Sequence, residues 1–381
     1  MSSSSFETIF PPLDSVDYIS NATREIAIAM DEKSYARAVN IFSSLRPPDQ
    51  ADVMSGLTRT HQEKILSWMT PRRLGMIVEE LTPNDVINIS RDMEVSDLSE
   101  VLDETRPDIA ADVLREMPGE LRAETLSTMK AANGVLPLID YEDDDAGGVM
   151  TPRYIALNET MTVQGAIEYI RSIAYEIDLS EVTYILVVDG HNLLKGGLNV
   201  SQLVTADNDE SISTVMFPNV ISVSAETDQE ECALIMERYN LLTLPVVDNK
   251  GRLEGIVKIE DMIYVLQEEA TEDMYRMVGV AEEEKILGPF WDSVKGRLPW
   301  LCINLATAGL AALVITLFQS TLGQVVALAA FLPVIAGQGG IVGTQTLTLV
   351  VRSMALGEIS PANAKQLFFK ELGLGLVHGF I

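Results

Sequence analysis

The sequence has few of the side chains on which most enzymes depend. In 381 residues it has only two cysteines and three histidines, at positions Cys232, Cys302, His61, His191 and His378. Neither cysteine has an evident histidine partner, and no phosphate-binding loop is present. The sequence therefore predicts that the chain is not an enzyme. The cysteines fall in a predicted soluble helix and a predicted membrane span, so we expect no disulfide between them.

Positive charge is scarce as well. Lysine and arginine total 27 against 56 acidic residues, which gives a formal net charge of -29. Nucleic acid is excluded as a partner because phosphate binding requires a basic face. An acidic excess next to a membrane segment favours cation binding, although a solvated acidic surface is the better explanation for most single carboxylates. The N-terminus MSSSSFETIF lacks a basic region followed by an apolar run, so we expect no signal peptide.

Long apolar runs occur only near the C-terminal end, in residues 291–381. The first predicted span, 298–318, is uncharged, has about the 20 residues that a crossing helix needs, and carries Trp300 near its start. A second span is predicted at about 324–351, after a short uncharged link at 319–323. A third, 371–381, is still apolar at the last residue and has about half the length needed. We therefore expect the sequence to be a fragment whose membrane domain continues.

The positive charges near these spans predict their orientation. Basic residues precede the first span and follow the second, at Lys285, Lys295, Arg297, Arg352, Lys365 and Lys370. The positive-inside rule places the N-terminal region and the 357–370 loop in the cytosol. The predicted location is the inner or plasma membrane, with several crossings and a lipid surround.

The second span is too rich in glycine and polar residues to be a simple anchor. Its sequence, FLPVIAGQGGIVGTQTLTLVVRS at 331–353, predicts part of a pore. The predicted pore-lining residues are Gly337, Gln338, Gly340, Gly343, Thr344, Gln345 and Thr348. The alternatives are close helix packing for the glycines and hydrogen bonds within the helix for the threonines.

The first soluble region repeats every twelve residues. After a flexible N-terminus at 1–14, residues 15–139 carry an apolar side chain at Leu45, Leu57, Met69, Leu81, Met93, Met117 and Met129, with Thr105 as a lapse. Proline or a capping residue often follows, so each unit predicts one short helix and a turn. Such helices bury a face only by stacking, which favours a superhelical α array over an irregular bundle.

The second soluble region contains a longer duplication. The segment TYILVVDGHNLLKGGLNVSQLV at 183–204 is echoed by TLPVVDNKGRLEGIVKIEDMI at 243–263, and each copy predicts strand, turn, strand and helix. The arrangement resembles a tandem pair of CBS domains, at 140–205 and 206–266. Such modules can bind adenosine nucleotides through an acidic residue after the last strand. The first copy has Ser201-Gln202 there and the second Glu260-Asp261, so we favour a conformational role over nucleotide binding.

An acidic segment, 267–290, connects this pair to the first span. Glu268 and Glu272, like Glu269 and Asp273, are four residues apart and share a helix face. Mg²⁺ prefers oxygen ligands and keeps several waters, so one or two carboxylates suffice for a site. A solvated acidic linker is the alternative.

Several motifs, in their order, resemble the MgtE family of Mg²⁺ channels. They are YEDDDAGGVMTPRYIAL at 141–157, LPVVDNKGRLEGIVKIEDM at 244–262, EEATEDM at 268–274 and PVIAGQGGIVGTQTLTLVVRSMALG at 333–357. The resemblance covers essentially the whole chain. It implies an all-α superhelical N domain, an α/β CBS pair, a connecting plug helix and an incomplete all-α membrane domain, in a homodimer with five membrane helices per subunit.

The resemblance also implies a function and a set of ligands. Intracellular Mg²⁺ would bridge carboxylates of the N domain, CBS pair and plug helix, and would hold the channel shut. The matching positions are Asp108, Asp112, Glu230, Glu260, Asp261, Glu269, Glu272 and Asp273. Asn240, Tyr264 and Met76 depart from acidic positions of the family, and Ile341 departs from its asparagine. The alternatives are a CBS-regulated transporter of another divalent cation, such as Mn²⁺ or Co²⁺, and a membrane-anchored scaffold without transport.

Overall fold

The computed structural model describes residues 15–91, 93–173, 184–280, 290–355 and 364–380. The predicted flexible N-terminus, 1–14, lies outside this part of the chain. The described residues form two compact units. The first comprises residues up to 232 together with 241–259, and the second comprises 233–240 and the residues from 260 onward.

The first unit begins with ten short helices. They are α1 Ser15–Asp31, α2 Tyr35–Ser44, α3 Pro47–Gly56, α4 Arg59–Leu66, α5 Pro71–Val78, α6 Pro83–Ser90, α7 Val95–Glu104, α8 Pro107–Glu116, α9 Gly119–Thr128 and α10 Ala132–Ile139. Four of them start with proline, which has no N–H to leave unpaired in a first turn. The predicted pattern of one helix and one turn per unit is confirmed.

Alternate helices of this array pack against each other. Contacts join α1 to α3, α3 to α5, α5 to α7 and α7 to α9, and a second row joins α4 to α6, α6 to α8 and α8 to α10. Ile26, Phe42 and Met54 are among the side chains buried between them. Because each helix packs mainly on its near neighbours, the array is the stacked superhelix that the repeat predicts.

Five of the eight positions that recur every twelve residues are C-terminal caps of helices. Leu45, Leu57, Met117 and Met129 are C-terminal caps with extended backbone, and all four are buried. Thr105, the lapse in the apolar pattern, caps α7 in the same way and is only 1% exposed, so the structural repeat continues through it. Its hydroxyl donates to the carbonyl of Val101 at 2.8 Å, and this local bond allows a polar side chain to be buried in an apolar position.

The duplicated region forms two three-stranded sheets. The first sheet has β1 Ala156–Asn158, β2 Tyr184–Val188 and β3 Leu194–Asn199, with α12 Val163–Ile173 before β2 and α13 Val200–Thr205 after β3. The second has β4 Val223–Ser224, β5 Thr243–Val247 and β6 Leu253–Lys258, with α15 Gln229–Tyr239 before β5 and α16 Ile259–Val278 after β6. In each sheet the first strand in sequence pairs with the second in parallel, and the second pairs with the third antiparallel. The strand order is therefore the same in both sheets. The predicted duplication is confirmed.

Two short segments, 146–152 and 211–217, precede the first and the second repeat, respectively. We call them the leader segments, and each packs on the repeat that it does not precede. The first contains helix α11 Ala146–Val149 and the second contains α14 Ile212–Val215. Thr151 exchanges two backbone hydrogen bonds with Ile256 of β6, and Phe217 exchanges two with Gly197 of β3. The predicted border at 205/206 therefore separates the second leader from the repeat on which it packs.

The turns after β2 and β5 are built alike. Asp189 accepts backbone hydrogen bonds from His191 and Leu193, and Asp248 accepts them from Lys250 and Arg252. These bonds stabilise the ionised form and lower the pKa of both carboxyls. The two turns meet through backbone bonds from Leu194 to Gly251 and from Leu253 to Asn192, so the repeats are joined at this edge.

The second unit contains most of α16 and the apolar helices. These are α17 Phe290–Leu317, α18 Gln319–Gln324, α19 Ala327–Ala355 and α20 Ala364–Phe380. Ser293–Leu317 and Ala327–Met354 are long and apolar enough to cross a membrane. The link predicted at 319–323 lies in the short helix α18. Helix α20 begins at Ala364, seven residues before the predicted third span. The added residues, 364–370, are helical and include Lys365 and Lys370.

Helix α16 ends against the first apolar helix. Gly279 follows α16 with φ of 68°, a conformation that glycine adopts without strain. A Cβ built on Gly279 would overlap the indole ring of Trp300. The absence of a side chain at this position therefore lets the end of α16 lie directly on α17.

Candidate cation-binding carboxylates and ion path

Helix α8 presents two carboxylates one turn apart. Pro107 opens the helix, which puts Asp108 in its first turn, where the N-terminal partial charge favours an anion. Asp108 is only 4% exposed, and its Oδ2 accepts a hydrogen bond from Arg106 Nη2 at 2.5 Å. Its Oδ1 is buried and has no hydrogen-bond partner among the described residues. A buried carboxylate oxygen without a hydrogen-bond partner lowers the stability of the fold, and a bound cation is one group that would offset this loss.

Asp112 lies on the same face of α8 and is half-buried. Burial raises its pKa to about 6, and the nearby charges of Asp108 and Asp143 act in the same direction. The guanidinium of Arg115 pairs with Asp112 and opposes this shift without cancelling it. Repulsion between neighbouring carboxylates is the electrostatic condition under which a divalent cation is bound favourably.

Arg115 is the centre of this cluster. Its Nε lies 2.5 Å from Asp143 Oδ1, and its Nη1 donates to the carbonyls of Leu138 and Tyr141, each at 3.1 Å. The Arg115 side chain is 13% exposed, so its hydrogen bonds to the two carbonyls are largely shielded from water, whereas the Asp143 side chain is 63% exposed. Arg115 thus joins α8 to the end of α10 and to the segment that leads into the first repeat.

A second acidic group lies beside Arg106. Glu79 Oε1 accepts a hydrogen bond from the backbone N–H of Arg106 at 2.7 Å, and burial is the main cause of its raised pKa. Burial also raises the pKa of Glu80. Met76, where the resemblance implies that a glutamate can occur, is 47% exposed. Acidic side chains are therefore present one helical turn from Met76.

The remaining predicted ligands lie on two helices. Glu230 is half-buried in the first turn of α15, and its N–H donates to Asp228 Oδ1 at 2.8 Å. Glu260 is exposed and Asp261 half-buried in the first turn of α16. The other three, Glu269, Glu272 and Asp273, are half-buried further along that helix.

Helix α16 contains both the end of the second repeat and the predicted plug. No glycine or proline occurs between Ile259 and Val278, and the helix is continuous across the predicted border at 266/267. Glu269 and Asp273 therefore share a face, as predicted, while Glu272 pairs with Arg276 one turn away. The predicted plug extends to 290, and residues 281–289 lie outside the described part of the chain.

The structure brings some of these residues together and leaves others in different units. Asp108 and Asp112 adjoin each other in the first unit, which also holds Glu230. Asp261 and the plug acids belong to the second unit. Within the described residues, no group of three or more acidic, histidine or cysteine side chains is arranged to hold a metal. The bridge from Asp108 to Asp261 stays a prediction.

Helix α19 carries five of the seven predicted pore residues on one side. A depression of about 780 Å³ is lined by Gly337, Gly340, Thr344, Gln345 and Thr348, together with Ala336, Ile341 and Leu349. We call this the glycine–threonine face; Gln338 and Gly343 are not part of its lining. A Cβ on Gly337 or Gly340 would meet nothing within 4 Å, so another helix has room to approach.

Two threonines of this face bond within their own helix. Thr344 Oγ1 donates to the carbonyl of Gly340 at 3.0 Å, and Thr348 Oγ1 donates to that of Thr344 at 2.9 Å. The alternative of intrahelical hydrogen bonds is thus confirmed for both residues. Each hydroxyl oxygen still has lone pairs that a hydrated ion can use.

Sequence reasoning missed the arginines and Asp143 of the α8 cluster. Arg115 follows Asp112 by three residues, and Arg106 precedes Asp108 by two. The first spacing is a usual signal for an ion pair on a helix. The contact with Asp143 has no local signal because it depends on how α8 and α10 pack.

Family models match three parts of the chain. They are the MgtE intracellular N domain at 22–105, the CBS domain at 212–268 and the divalent cation transporter at 332–381. The magnesium transporter MgtE of Thermus thermophilus is 39% identical over 247 residues, which are 64% of this chain and 54% of that protein. The magnesium transporter MgtE of Bacillus subtilis is 34% identical over 258 residues, or 67% and 57% of the two chains.

Solved structures agree with these matches. The cytosolic domain of the Mg²⁺ channel MgtE in complex with ATP is 30% identical, with a TM-score of 0.59, and the match covers 64% of this chain and 99% of that one. The soluble part of a magnesium transporter is 25% identical, with a TM-score of 0.58, over 66% and 99% of the two chains. This chain spans a little over half the length of the curated relatives above.

A stacked helical array, a CBS pair and two helices long and apolar enough to cross a membrane thus occur in this order in one chain. The chain belongs to the MgtE family of divalent cation transporters. The predicted family and fold class are confirmed. The prediction that the chain is not an enzyme agrees with a family of transporters.

Proposed function

We propose that this chain is part of a Mg²⁺ channel of the cell membrane that intracellular Mg²⁺ closes. Membership of a divalent cation transporter family supports the cargo. The observation that carries the regulatory part is the buried Asp108, whose Oδ1 lacks a hydrogen-bond partner in the described part of the chain and lies one turn from the raised-pKa carboxyl of Asp112. The oxygen-rich site fits a hard divalent cation.

The proposed switch is electrostatic. Carboxylates brought within about 4–6 Å of each other repel by several kcal/mol at intermediate dielectric, and a divalent cation reverses the sign. Ions bound between the N domain, the CBS pair and the plug would stabilise one arrangement of these domains. Binding to the closed form alone shifts the equilibrium by RT ln(1+[L]/Kd) per site, so several weak sites give a steep response.

The test is a pair of substitutions in the intact protein. Asp108→Ala with Asp261→Ala is expected to leave Mg²⁺ flux high at millimolar Mg²⁺ on the cytosolic side of proteoliposomes. Asp97→Ala with Glu237→Ala removes two exposed carboxylates from the same two regions and is expected to retain normal closure. Normal closure in the Asp108/Asp261 variant would show that the sensor is assigned to the wrong residues.

The glycine–threonine face of α19 is the proposed wall of the ion path, with lipid around the outer helices and the N-terminal domains in the cytosol. Mn²⁺ and Co²⁺ are alternative cargoes that share the preference for oxygen ligands. Flux measured with each ion against Mg²⁺ tests this. If Mn²⁺ or Co²⁺ passes as well as Mg²⁺, the Mg²⁺-selective proposal is wrong.

A homodimer is the proposed assembly. The CBS pair leaves apolar side chains in solvent at Val200, Val204 and Phe217, which are 44%, 76% and 52% exposed. Neighbouring apolar groups of this kind are typical of an interaction surface. Val204→Glu is expected to weaken dimerisation, as measured by light scattering of the purified protein. An unchanged mass would place the dimer contact elsewhere.

Nucleotide binding is a second candidate, favoured by the solved relative that is in complex with ATP. At the start of α13, Gln202 completes a capping box with Asn199, and its Nε2 donates to the carbonyl of Val215. Because Gln202 is engaged and uncharged, we expect the second repeat to provide the acidic contact through Glu260 or Asp261. Equilibrium dialysis with ATP tests this, since Glu260→Gln with Asp261→Asn should weaken binding.

A further inference from the structure

Among the described residues of α19 and α20, one side chain is acidic, and it lies where the two helices meet. Glu371 belongs to α20, which is otherwise apolar from Leu372 onward apart from His378. Its Oε2 accepts a hydrogen bond from Thr346 Oγ1 of α19 at 2.8 Å, and both side chains are half-buried. Ionisable groups within membrane helices are costly and commonly have a functional role and a defined partner.

Glu371 lies at the boundary between the charged and the apolar parts of α20. Lys370 directly precedes it, and the residues from Leu372 to Phe380 are apolar apart from His378. Thr346 is six residues before Arg352, which corresponds to about 9 Å of helix inside the apolar part of α19. Both side chains are half-buried, so bulk water has only partial access to this hydrogen bond.

Thr346 and the glycine–threonine face lie on opposite sides of α19. Thr346 is two residues from Thr344 and from Thr348, which is a rotation of about 200°. The side of α19 that bonds to α20 is therefore the side that does not carry the depression. Fixing Thr346 on α20 fixes the direction in which the glycine–threonine face points.

We propose that Glu371 is a positioning residue of the ion path, which sets the rotation of α19 through its hydrogen bond with Thr346. Apolar side chains alone give weak orientation inside a bilayer, because lipid tails contact them as well as a neighbouring helix does. One interhelical hydrogen bond supplies the direction that they lack. The inference rests on the proposed function, in which the opposite face of α19 lines the path.

The first experiment measures Mg²⁺ flux of the intact protein in proteoliposomes. Thr346→Val and Glu371→Leu remove the bond and are expected to lower flux by about tenfold. Thr346→Ser retains the donor and Glu371→Gln retains an acceptor, so both are expected to stay close to the wild-type flux. Thr316→Val is the matched control, since Thr316 bonds only within its own helix, to the carbonyl of Ala312, among the contacts described.

The second experiment follows the orientation of α19 without using flux. Thr344→Cys in a Cys302→Ala background places a reporter on the glycine–threonine face, and the other cysteine, Cys232, is buried. Labelling by a water-soluble thiol reagent is expected to slow several-fold when Thr346→Val is added, and to recover with Thr346→Ser. This readout depends on the direction of the helix and not on whether ions pass.

The two experiments separate the possible failures. If the wild-type protein carries no Mg²⁺ but labelling still depends on Thr346, the proposed function fails and the positioning role stands. If Glu371→Gln abolishes flux while Thr346→Val changes neither flux nor labelling, the charge acts on the ion and the positioning role is overturned. Unchanged labelling in both Thr346→Val and Glu371→Leu overturns it as well.

Discussion

Arg115 gives the most direct test of the α8 cluster, and Arg115→Met is the substitution of choice. Methionine retains much of the apolar stem and removes the guanidinium. The change leaves the carbonyls of Leu138 and Tyr141 without their donor and leaves Asp112 without its counter-ion. The structure predicts that the N domain loses stability because three groups are unpaired at once.

The size of the effect follows from the exposure of each partner. Hydrogen bonds to a charged donor contribute about 1.5–3 kcal/mol, and removal of one member of a buried ion pair costs about 3–5 kcal/mol. The Asp143 carboxylate is 63% exposed, so its pair contributes little after screening. Because these terms overlap, we expect a total loss of about 3–4 kcal/mol in the free energy of unfolding.

The assay is the urea unfolding of a fragment that ends at Val280, monitored by circular dichroism at 222 nm. With an m-value of about 2 kcal/mol per molar, the first midpoint should fall by about 1.5–2 M. Arg37→Met is the control, because the pair between Arg37 and Glu25 is 3.9 Å long and 56% exposed on both sides. If Arg115→Met shifts the midpoint no more than Arg37→Met does, the cluster is not the support that we describe.

Two further predictions use the buried thiol and the end of α16. Burial, followed by the charges of Glu231, Asp228 and Asp145, raises the pKa of Cys232 to about 12. In a Cys302→Ala variant at pH 8.5, iodoacetamide should therefore modify Cys232 only after denaturant is added, and rapid labelling of the folded protein would contradict the burial. The folded state should also lose stability as the pH rises from 9 towards 12, because the thiol ionises in the unfolded chain first. Gly279→Ala should lower the thermal midpoint and change the fluorescence of Trp300, because alanine is strained at a positive φ and its Cβ would overlap the indole. Adding Trp300→Ala removes the overlap but not the strain, so it should restore only part of the lost stability. An unchanged midpoint in Gly279→Ala would refute the contact.

Local signals explain which parts of the fold follow from the sequence. The twelve-residue period and the prolines at Pro47, Pro71, Pro83 and Pro107 predict the short helices, because both act within one turn of chain. Thr105 interrupts the apolar pattern but not the structure, since its hydroxyl bonds to the preceding turn. Hydrophobicity alone is a poor guide where a polar side chain satisfies itself locally.

Non-local contacts explain what the sequence does not predict. The leader segments are visible as repeated motifs, but nothing in them indicates that each pairs with a strand of the other repeat. The role of Arg115 depends in the same way on the distance between α8 and α10 after folding. The predicted ligands come from the family resemblance, and contact between those of the two units stays a prediction.

The exchange of leader segments has a consequence for the order of events during synthesis. All three strands of the first sheet have been synthesised once the chain reaches Asn199. The core residue Ile212 and the hydrogen bonds of Phe217 become available only after the second leader has left the ribosome. The first leader waits longer, since its partner Ile256 lies more than a hundred residues downstream of Thr151. At a synthesis rate of about 5–20 residues per second, Thr151 stays unpaired for several seconds. The CBS pair is thus expected to fold as one delayed event, close to the moment at which the first membrane helix begins to emerge.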